Sequence, residues 1–338
     1  MQDLAELYDA LSAPTPEVIE SLSWLDGDLM LLGVGGKLGP ELALMARRAL
    51  DKAGKNSRVV GVARNLDPAT ASRLAEGGVD LAKADLMDDA ALRALPDAGN
   101  VVYLAGRKFG TGGSEHQTWA LNAHLPGRVA ERFRDSKIVA FSTGNVYPLV
   151  PVTSGGADET TPAGPVGEYA QSCLGRERVF EHFSHVNGTP MAIVRLNYAV
   201  ELRYGVLLEL ARTVSRREPV DLRMGNVNVI WQGDVNASTL RLLELCATPP
   251  LVVNLAGPET ASVQWLSERL GELLDVPVSF TGEPADTALL SNASLSHQLF
   301  GYPSVPLRRL LEWTADWVRA GGDTHGKDTN FQEREGRF

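Results

Sequence analysis

Short apolar runs alternate with longer segments of helical periodicity along most of the chain. The apolar runs predict buried strands at 29–32, 57–63, 79–82, 100–105, 137–142, 191–196 and 251–255. Between them, apolar residues at every third or fourth position predict helices. Strands that alternate with helices in this rhythm form parallel sheets with right-handed crossovers. The pattern therefore predicts an α/β fold built on a doubly wound parallel sheet.

The same rhythm divides the chain into four parts. Residues 1–27 predict a helical extension ahead of the first strand, and residues 28–196 carry the regular alternation of a main domain. From 197 to 320 the alternation loosens, which predicts a smaller C-terminal α/β lobe, with the strand at 251–255 returning to the main sheet. Residues 321–338 are polar and predict a loop-like tail.

The first strand ends in a run of glycines, in the stretch DLMLLGVGGKLGPE. Gly33, Gly36 and Gly39 follow the spacing GxxGxxG, and a helical pattern begins directly after them. Missing Cβ atoms let the backbone of such a loop, here with Lys37 and Leu38, approach a phosphate. The helix N-terminus adds free N–H groups and a positive dipole end. The turn predicts a dinucleotide site, although a tight strand-to-helix turn without a ligand would use the same glycines.

Composition narrows the classes of function. The 338 residues are 44% hydrophobic and 22% charged, which is ordinary for a globular protein. A formal charge of -10 and a pI near 5.2 argue against a nucleic-acid binder, which needs a basic surface. Two cysteines, Cys173 and Cys246, are too few for a disulfide framework, and the histidines lack the spacing of metal ligands. The apolar runs are all shorter than the ~20 residues that a membrane-spanning helix needs. We therefore expect a cytoplasmic protein with a small-molecule substrate, without a metal and without contact to membranes or nucleic acids.

Several further motifs follow the glycine turn in a fixed order. They are ADLMD with Asp85, VVYLAG at 101–106, Asn122 in the next helix, FSTGNVY at 141–147, Tyr169 in EYAQSC, Arg195 in IVRL and GDV at 233–235. Over residues 28–320 this series resembles the extended short-chain dehydrogenases/reductases, the NAD(P)-dependent epimerase/dehydratase superfamily. The resemblance implies a Rossmann fold that binds a nicotinamide dinucleotide at the carboxyl ends of its strands.

The resemblance also implies the cofactor-binding positions. They are Gly33, Gly36, Lys37, Leu38, Gly39, Arg64, Asp85, Leu86, Leu104, Ala105 and Gly106. Asp85 is similar to the family's acidic residue that accepts from the adenine amino group, although an aspartate that caps a turn would look the same. Arg64 stands at the end of the second strand, where a guanidinium can bind the 2′-phosphate of NADP. With Lys37 adding positive charge nearby, we expect NADP as the cofactor, with NAD as the alternative.

The catalytic group of the family contains a Ser or Thr, a Tyr and a Lys around the reacting C–OH or C=O. The resemblance places Thr143 in the hydroxyl position, with Ser142 as the alternative, and Tyr169 in the acid/base position. In the family, a lysine four residues after the tyrosine lowers the pKa of that tyrosine and holds the nicotinamide ribose. Here the position is Cys173, and a neutral thiol cannot lower a phenol pKa as an ammonium does.

Asn122 matches a family residue whose backbone carbonyl holds a water of the proton relay. Pro126 lies four residues later and lacks the N–H that would bond this carbonyl. We therefore expect the Asn122 carbonyl to be open to water, unless the proline serves only to bend the helix for packing. Such a water chain could feed protons to Tyr169 in place of the lysine.

Three interpretations of the missing lysine stay open. In the first, another cation from the glycine-rich loop replaces the lysine, and the candidates are Lys108, Arg107 and His116. In the second, the chemistry does not need a tyrosinate. In the third, the site binds the cofactor without turnover. The first two predict an oxidoreductase, epimerase or dehydratase that acts on a sugar-like or polyhydroxylated substrate by hydride transfer. The third predicts a catalytically impaired sensor or a partner subunit. A nucleophilic Cys173 would need an adjacent base, and none is evident.

The family's helices after the fourth and fifth strands often pair across a two-fold axis. Here these helices are predicted at 116–134 and 168–184. Their apolar side chains for such contacts are Leu121, Val129, Phe133, Leu174, Val179 and Phe183. The resemblance thus implies a homodimer.

Overall fold

Seven parallel strands form the central sheet of the protein, whose computed structural model describes residues 1, 3–108, 110 and 112–337. The strands are β1 (Leu29–Leu32), β2 (Val59–Ala63), β3 (Asp80–Lys83), β4 (Asn100–Tyr103), β5 (Lys137–Thr143), β6 (Met191–Leu196) and β7 (Leu251–Leu255). Their order in the sheet is β7-β6-β5-β4-β1-β2-β3, so the winding direction reverses between β1 and β4. This order confirms the predicted doubly wound sheet.

Helices cover both faces of the sheet. They are α1 (Leu4–Ser12), α2 (Pro16–Ser23), α3 (Gly39–Lys52), α4 (Pro68–Glu76), α5 (Asp89–Ala94), α6 (Glu115–Trp119), α7 (Leu125–Arg132), α8 (Gly167–Asn187), α9 (Val206–Ser215), α10 (Gln232–Arg241), α11 (Val263–Leu274), α12 (Ser294–Phe300) and α13 (Leu307–Arg319). One face packs α2, α3 and α10 on strand residues such as Leu31 and Val139. The other packs α5, α7 and α8 on Met30 and Ile138. Because successive strand residues point to opposite faces, burial on both sides explains the unbroken apolar runs.

The helix predicted at 116–134 is divided by an irregular turn. A π-helical turn, Ala120–His124, separates α6 from α7. Pro126 lies in the first turn of α7 and lacks the N–H that would bond the carbonyl of Asn122. Irregular turns of this kind are frequent at functional sites. Here the turn leaves Asn122 fully buried against α8.

A separate apolar core unites α9, α11 and α13 in the C-terminal part of the chain. Short strand pairs accompany it: Ala199–Val200 with Ile230–Trp231, Val220–Asp221 with Phe280–Thr281, Asn226–Val227 with Ala261–Ser262, and Val150–Pro151 with Thr287–Ala288. Between α10 and β7, Leu242–Glu244 forms a 3-10 turn. β7 also lies in the C-terminal part of the sequence, but it pairs with β6 in the central sheet. Strands of two residues carry no periodicity, so the sequence does not define their ends or their pairing partners.

Both ends of the chain pack against the rest of the protein. In the N-terminal extension, Leu7 and Leu11 of α1 and Val18 and Leu22 of α2 are fully buried. No regular helix or strand occurs in the described part of the tail, yet Phe331 is only 2% exposed. In the described part of the chain, no helix is both long enough and apolar enough to cross a membrane. The extension and the tail are therefore structural parts of the fold.

Candidate functional site

The glycine turn forms a cradle at the end of β1. Gly33 has a φ of +96°, and a Cβ at this position would lie 2.9 Å from the backbone N of Ala105. A Cβ on Gly39 would collide with the carbonyl of Val34, so the loop closes only without these side chains. α3 starts at Gly39, and its N-cap residue, Leu38, makes no side-chain bond to the helix N–H groups. The turn therefore presents helix N–H groups and a positive dipole end to an anion.

A cavity of about 740 Å³, here called the outer cavity, opens in front of this cradle. Its walls come from the glycine loop, the ends of β2, β4 and β5, helices α1 and α8, and the tail, and include Tyr8, Gly36, Lys37, Leu38, Leu104, Gly106, Lys108, Tyr169, Arg176, Arg203, Tyr204 and His325. Its volume lies within the ~300–1,000 Å³ of typical ligand pockets. The cradle, the dipole and the volume fit a nicotinamide dinucleotide with its phosphates at the start of α3.

A smaller cavity of about 170 Å³, here called the inner cavity, adjoins the outer one. Lys37, Leu38, Lys108, Ser142, Tyr169 and Tyr204 line both cavities. Polar side chains also contribute to the inner cavity, and they are Thr143, Asn145, Asn197, Tyr198, Gln232 and Thr329. Tyr169 thus stands between a space that fits a dinucleotide and a space that fits a small polar molecule.

A buried charge cluster lies beside the cradle. Glu41, in the first turn of α3, is 1% exposed, and its Oε1 lies 2.9 Å from Arg73 and 3.9 Å from Arg203. Burial raises the pKa of Glu41, and the two guanidiniums oppose this shift. The Tyr8 ring lies 3.9 Å from the Arg73 Cζ and 4.8 Å from the Arg203 Cζ. The N-terminal extension therefore contributes to the cavity wall, a role that no pattern in the sequence predicted.

Arg64 and Asp85 contact each other, and neither lines the outer cavity. The Arg64 Nη1 lies 3.6 Å from the Asp85 Oδ2, and the Arg64 side chain is 73% exposed. Asp85 also accepts from the backbone N of Met87 at 3.0 Å, which is the turn-capping arrangement. Leu86, the neighbouring predicted residue, is buried in the apolar core. Arg64 thus presents an exposed guanidinium, whereas Asp85 already has two partners.

Lys37 lies against Tyr204 at the wall that the two cavities share. Its Nζ is 2.7 Å from the centroid of the Tyr204 ring. Burial, and after it the charges of Lys108 and Lys327, lower the pKa of Lys37 to about 7. The sequence had placed this charge with Arg64 at the adenosine end of the cofactor. In the structure the ammonium instead lies beside the inner cavity.

Thr143 and Tyr169 come together where β5 ends and α8 begins. The Tyr169 hydroxyl shares hydrogen bonds with the Thr143 hydroxyl and with the Cys173 thiol. Ser142, the alternative to Thr143, donates instead to the carboxylate of Glu177. The structure thus brings Thr143 to Tyr169 and commits Ser142 to α8.

Cys173 is fully buried one helical turn after Tyr169. Burial raises the pKa of the Cys173 thiol, which keeps it neutral, while Arg176 and Lys108 oppose this shift. Burial likewise raises the pKa of Tyr169. The position for which the resemblance implies a lysine thus holds a neutral thiol, and two cations, Arg176 and Lys108, act on it.

Arg176 bonds Asn122 directly. Its Nε donates to the Asn122 backbone carbonyl at 3.3 Å, its Nη2 to the Asn122 Oδ1 at 2.7 Å, and its Nη1 to the Phe141 carbonyl at 2.8 Å. The carbonyl that Pro126 leaves without a helical partner is thus bonded by a side chain, where the sequence predicted water. A Cβ on Gly106 would collide with this guanidinium, which explains the glycine at that position.

Of the three cations proposed to replace the lysine, Lys108 approaches Tyr169. Its Nζ lies 5.9 Å from the Tyr169 ring centroid and donates to the Thr329 carbonyl at 3.3 Å. Burial lowers the pKa of Lys108 to about 8. The Arg107 side chain bonds within its own segment of chain, and His116 is exposed on α6.

The sequence carried one overlooked signal for Arg176. The buried face of α8 contains Cys173, Arg176, Glu177, Phe180 and Ser184, so an arginine and a glutamate stand within an otherwise core-facing stripe. Charged residues at such positions predict a buried polar network. The network exists, and Arg195 joins it with its Nη2 at 2.7 Å from the Glu177 Oε2.

Comparison with known proteins agrees with this architecture. The sequence profile of the NAD dependent epimerase/dehydratase family matches residues 30–200, just over half of the chain. No curated protein matches the chain by sequence. Among solved structures, UDP-glucose 4-epimerase from Thermotoga maritima, with UDP-glucose, has a TM-score of 0.72 at 16% identity, over 87% of this chain and 99% of that one. UDP-glucuronic acid 4-epimerase from Bacillus cereus, in complex with NAD, has a TM-score of 0.70 at 18% identity, over 86% and 98%.

The two kinds of comparison support different conclusions. At such low identities the solved structures establish a shared fold and nothing about substrate. The profile, by contrast, matches the sequence itself across β1 to β6 and the segment that carries Thr143, Tyr169 and Cys173. On this match, the chain belongs to the NAD-dependent epimerase/dehydratase family.

Proposed function

We propose that the protein is an NAD(P)-dependent oxidoreductase, epimerase or dehydratase that transfers hydride on a sugar-like or polyhydroxylated substrate. The observation that carries the proposal is the position of Tyr169, which lines both cavities and bonds Thr143 at the inner one. A hydroxyl or carbonyl group of a molecule in the inner cavity can reach these two hydroxyls. The glycine cradle of the outer cavity supplies the matching cofactor site.

The roles of the side chains follow from this arrangement. The bound dinucleotide supplies the hydride acceptor or donor. Thr143 donates a hydrogen bond to the substrate oxygen and holds it near Tyr169. Tyr169 takes the proton of the substrate hydroxyl during oxidation and returns it during reduction. The guanidinium of Arg176 opposes the effect of burial on the pKa of Tyr169. The Lys108 ammonium, 5.9 Å from the ring centroid, adds a second positive charge that favours the tyrosinate.

Arg176 is a positioning residue in this proposal. Its bonds to Asn122 and Phe141 tie α8 to the π-helical turn and to β5. Tyr169 and Thr143 lie on these same elements, α8 and β5, so the guanidinium fixes the positions of their side chains relative to each other.

Two experiments test the proposal, first cofactor binding and then turnover. NADH or NADPH fluorescence, titrated with the purified protein, measures cofactor binding alone. Sugars, sugar acids and nucleotide-linked sugars are then tested as substrates. Turnover is detected as reduction of NAD(P)⁺ or, by NMR, as formation of product isomers. We expect both binding and turnover, and a protein that binds neither dinucleotide contradicts the proposal.

A second candidate is a cofactor-binding sensor or partner subunit without turnover. The observation in its favour is Cys173, which puts a neutral thiol where the family has lysine. This candidate predicts normal dinucleotide binding and no turnover with any member of the panel.

Arg64 tests the choice between NADP and NAD. Its exposed guanidinium can form a charge-assisted bond to the 2′-phosphate of NADP, with Asp85 as a competitor. We expect NADPH to bind roughly three- to tenfold more tightly than NADH, as a partly screened charged bond of about 1 kcal/mol implies. Arg64→Ala should remove the preference by weakening NADPH alone. Arg58→Ala, which removes another exposed arginine at the start of β2, is the matched control. Equal affinities in the unmodified protein contradict the prediction.

A homodimer through α7 and α8 is the second expectation from the family. Two of the predicted contact residues, Val129 and Phe133, are buried inside the protomer and cannot serve. The half-buried ones are Leu121, Leu174, Val179 and Phe183, and Val186 extends the α8 face at 65% exposure. We expect twice the protomer mass by light scattering at micromolar concentration, and a monomer for Val186→Asp combined with Val179→Asp. A monomeric unmodified protein contradicts the prediction.

A further inference from the structure

The inner cavity is too small for a nucleotide-linked sugar. Its volume of about 170 Å³ is below the ~300–1,000 Å³ of pockets that enclose drug-sized ligands. A nucleotide-linked sugar brings a base, a ribose and a diphosphate in addition to its sugar ring. The cavity therefore has room for a molecule of about the size of the sugar part only.

The C-terminal tail forms part of the inner-cavity wall and is fixed there by its own bonds. Thr329 lines the cavity, and its backbone N and Oγ1 donate to the Glu209 Oε2 at 2.9 and 2.6 Å. Two residues later, Phe331 is buried in the C-terminal core. Further on, the Arg334 Nη1 donates to the Thr287 carbonyl at 2.7 Å. These anchors, at and beyond Thr329, hold the tail against the inner cavity.

The inner cavity carries positive charge. Among its described lining residues, Lys37 and Lys108 contribute ammonium groups and no residue contributes a carboxylate. Amide side chains from Asn145, Asn197 and Gln232 add polar groups suited to hydroxyls. Because the whole chain has a formal charge of -10, this local excess of positive charge points to an anionic ligand.

We infer that the inner cavity selects a small anionic polyhydroxy compound, with a carboxylate or a phosphate as its anionic group, over a nucleotide-linked sugar. The inference rests on the proposed function, since it takes the inner cavity as the substrate site beside Tyr169. The tail sets the size limit through Thr329, and Lys37 with Lys108 sets the charge preference.

The charge preference has a pH dependence with a definite sign. Lys37, with a pKa of about 7, faces Lys108, Lys327, Glu201 and Tyr204. Lys108, with a pKa of about 8, faces Tyr169, Cys173, Glu209 and the Thr329 carbonyl, and these groups come from α8, α9 and the tail. Each lysine is charged below its pKa and neutral above it. Anion affinity should therefore fall as pH rises through 7 to 8, because the two ammonium groups lose their protons in this range.

Calorimetric titration of the protein saturated with NADH or NADPH tests the inference without requiring turnover. The ligands are glucose, glucuronate, glucose 6-phosphate and UDP-glucose, so that charge, anion type and size vary separately. We expect one or both small anions to bind at least tenfold more tightly than glucose, and UDP-glucose not to bind. Lys108→Met should remove most of the difference between the small anions and glucose.

The outcomes separate this inference from the proposed function. Absence of dinucleotide binding overturns the proposed function before any sugar is added. With the dinucleotide bound, the inference is overturned if UDP-glucose binds as tightly as the small anions, if glucose equals them, or if no member binds.

Discussion

Tyr169→Phe should lower turnover by about 10²- to 10⁴-fold and leave the affinity for NADH or NADPH within twofold of the parent. The substitution removes one oxygen, which bonds Thr143 and is the atom that we propose takes the substrate proton. The ring remains in place between the two cavities, so the space for both ligands is preserved. Turnover is measured with the most active compound of the sugar panel, and cofactor binding by fluorescence.

Tyr147→Phe is the matched control for this prediction. Tyr147 lies in the FSTGNVY segment, which also carries Thr143, and is buried, but its hydroxyl bonds the side chains of Arg195 and Asn254. Losing these bonds should lower the free energy of unfolding by about 1–3 kcal/mol while turnover stays within a few-fold of the parent. If Tyr169→Phe keeps more than a tenth of the parent turnover, Tyr169 is not the acid/base group.

The central sheet was predictable because its signal is local. A strand buried on both faces is a continuous apolar run, as in Leu29–Leu32, and a glycine turn such as Gly33 to Gly39 is written in consecutive residues. In the C-terminal part, strands such as Val220–Asp221 have two residues and pair with partners far along the chain. A strand of two residues is too short to show the alternation of apolar and polar positions from which strands are predicted.

The candidate site was predictable only in part, for a related reason. Thr143 and Tyr169 were identified through the family resemblance, and the structure brings them together. The contact between Lys108 and Thr329 joins residues 221 positions apart, and nothing local to either one indicates it. Contacts of this range depend on the fold of the whole chain. The sequence could therefore name Lys108 as one of three candidate cations, but it could not show which of the three approaches Tyr169.

The positive charges of Arg176 and Lys108 around Cys173 lead to a second prediction with a large expected effect on turnover. If Lys108 supplies the charge that the family takes from its lysine, Lys108→Met should lower turnover by at least tenfold. The variant loses a positive charge 5.9 Å from the Tyr169 ring centroid, so that Arg176 is left to oppose the effect of burial on the pKa of Tyr169. Cys173→Lys alone should also lower turnover. It buries a third cation beside Arg176 and Lys108, which already act on the thiol, and should cost at least ~2 kcal/mol of folding stability. Thermal unfolding measures the stability, and the sugar panel measures turnover.

The double variant Lys108→Met with Cys173→Lys separates the interpretations of the missing lysine. It moves one positive charge from the glycine-rich loop to α8, one turn from Tyr169, and leaves two cations around the site as in the parent. Turnover should therefore recover at least tenfold relative to Lys108→Met alone. Cys173→Ser combined with Lys108→Met is the control, since it changes the thiol without restoring charge and should recover nothing. If Cys173→Lys alone raises turnover from an inert parent, the natural protein binds cofactor without catalysis, and Lys108 does not replace the lysine. If the double variant is no better than Lys108→Met, the ammonium of Lys108 serves the substrate and not Tyr169.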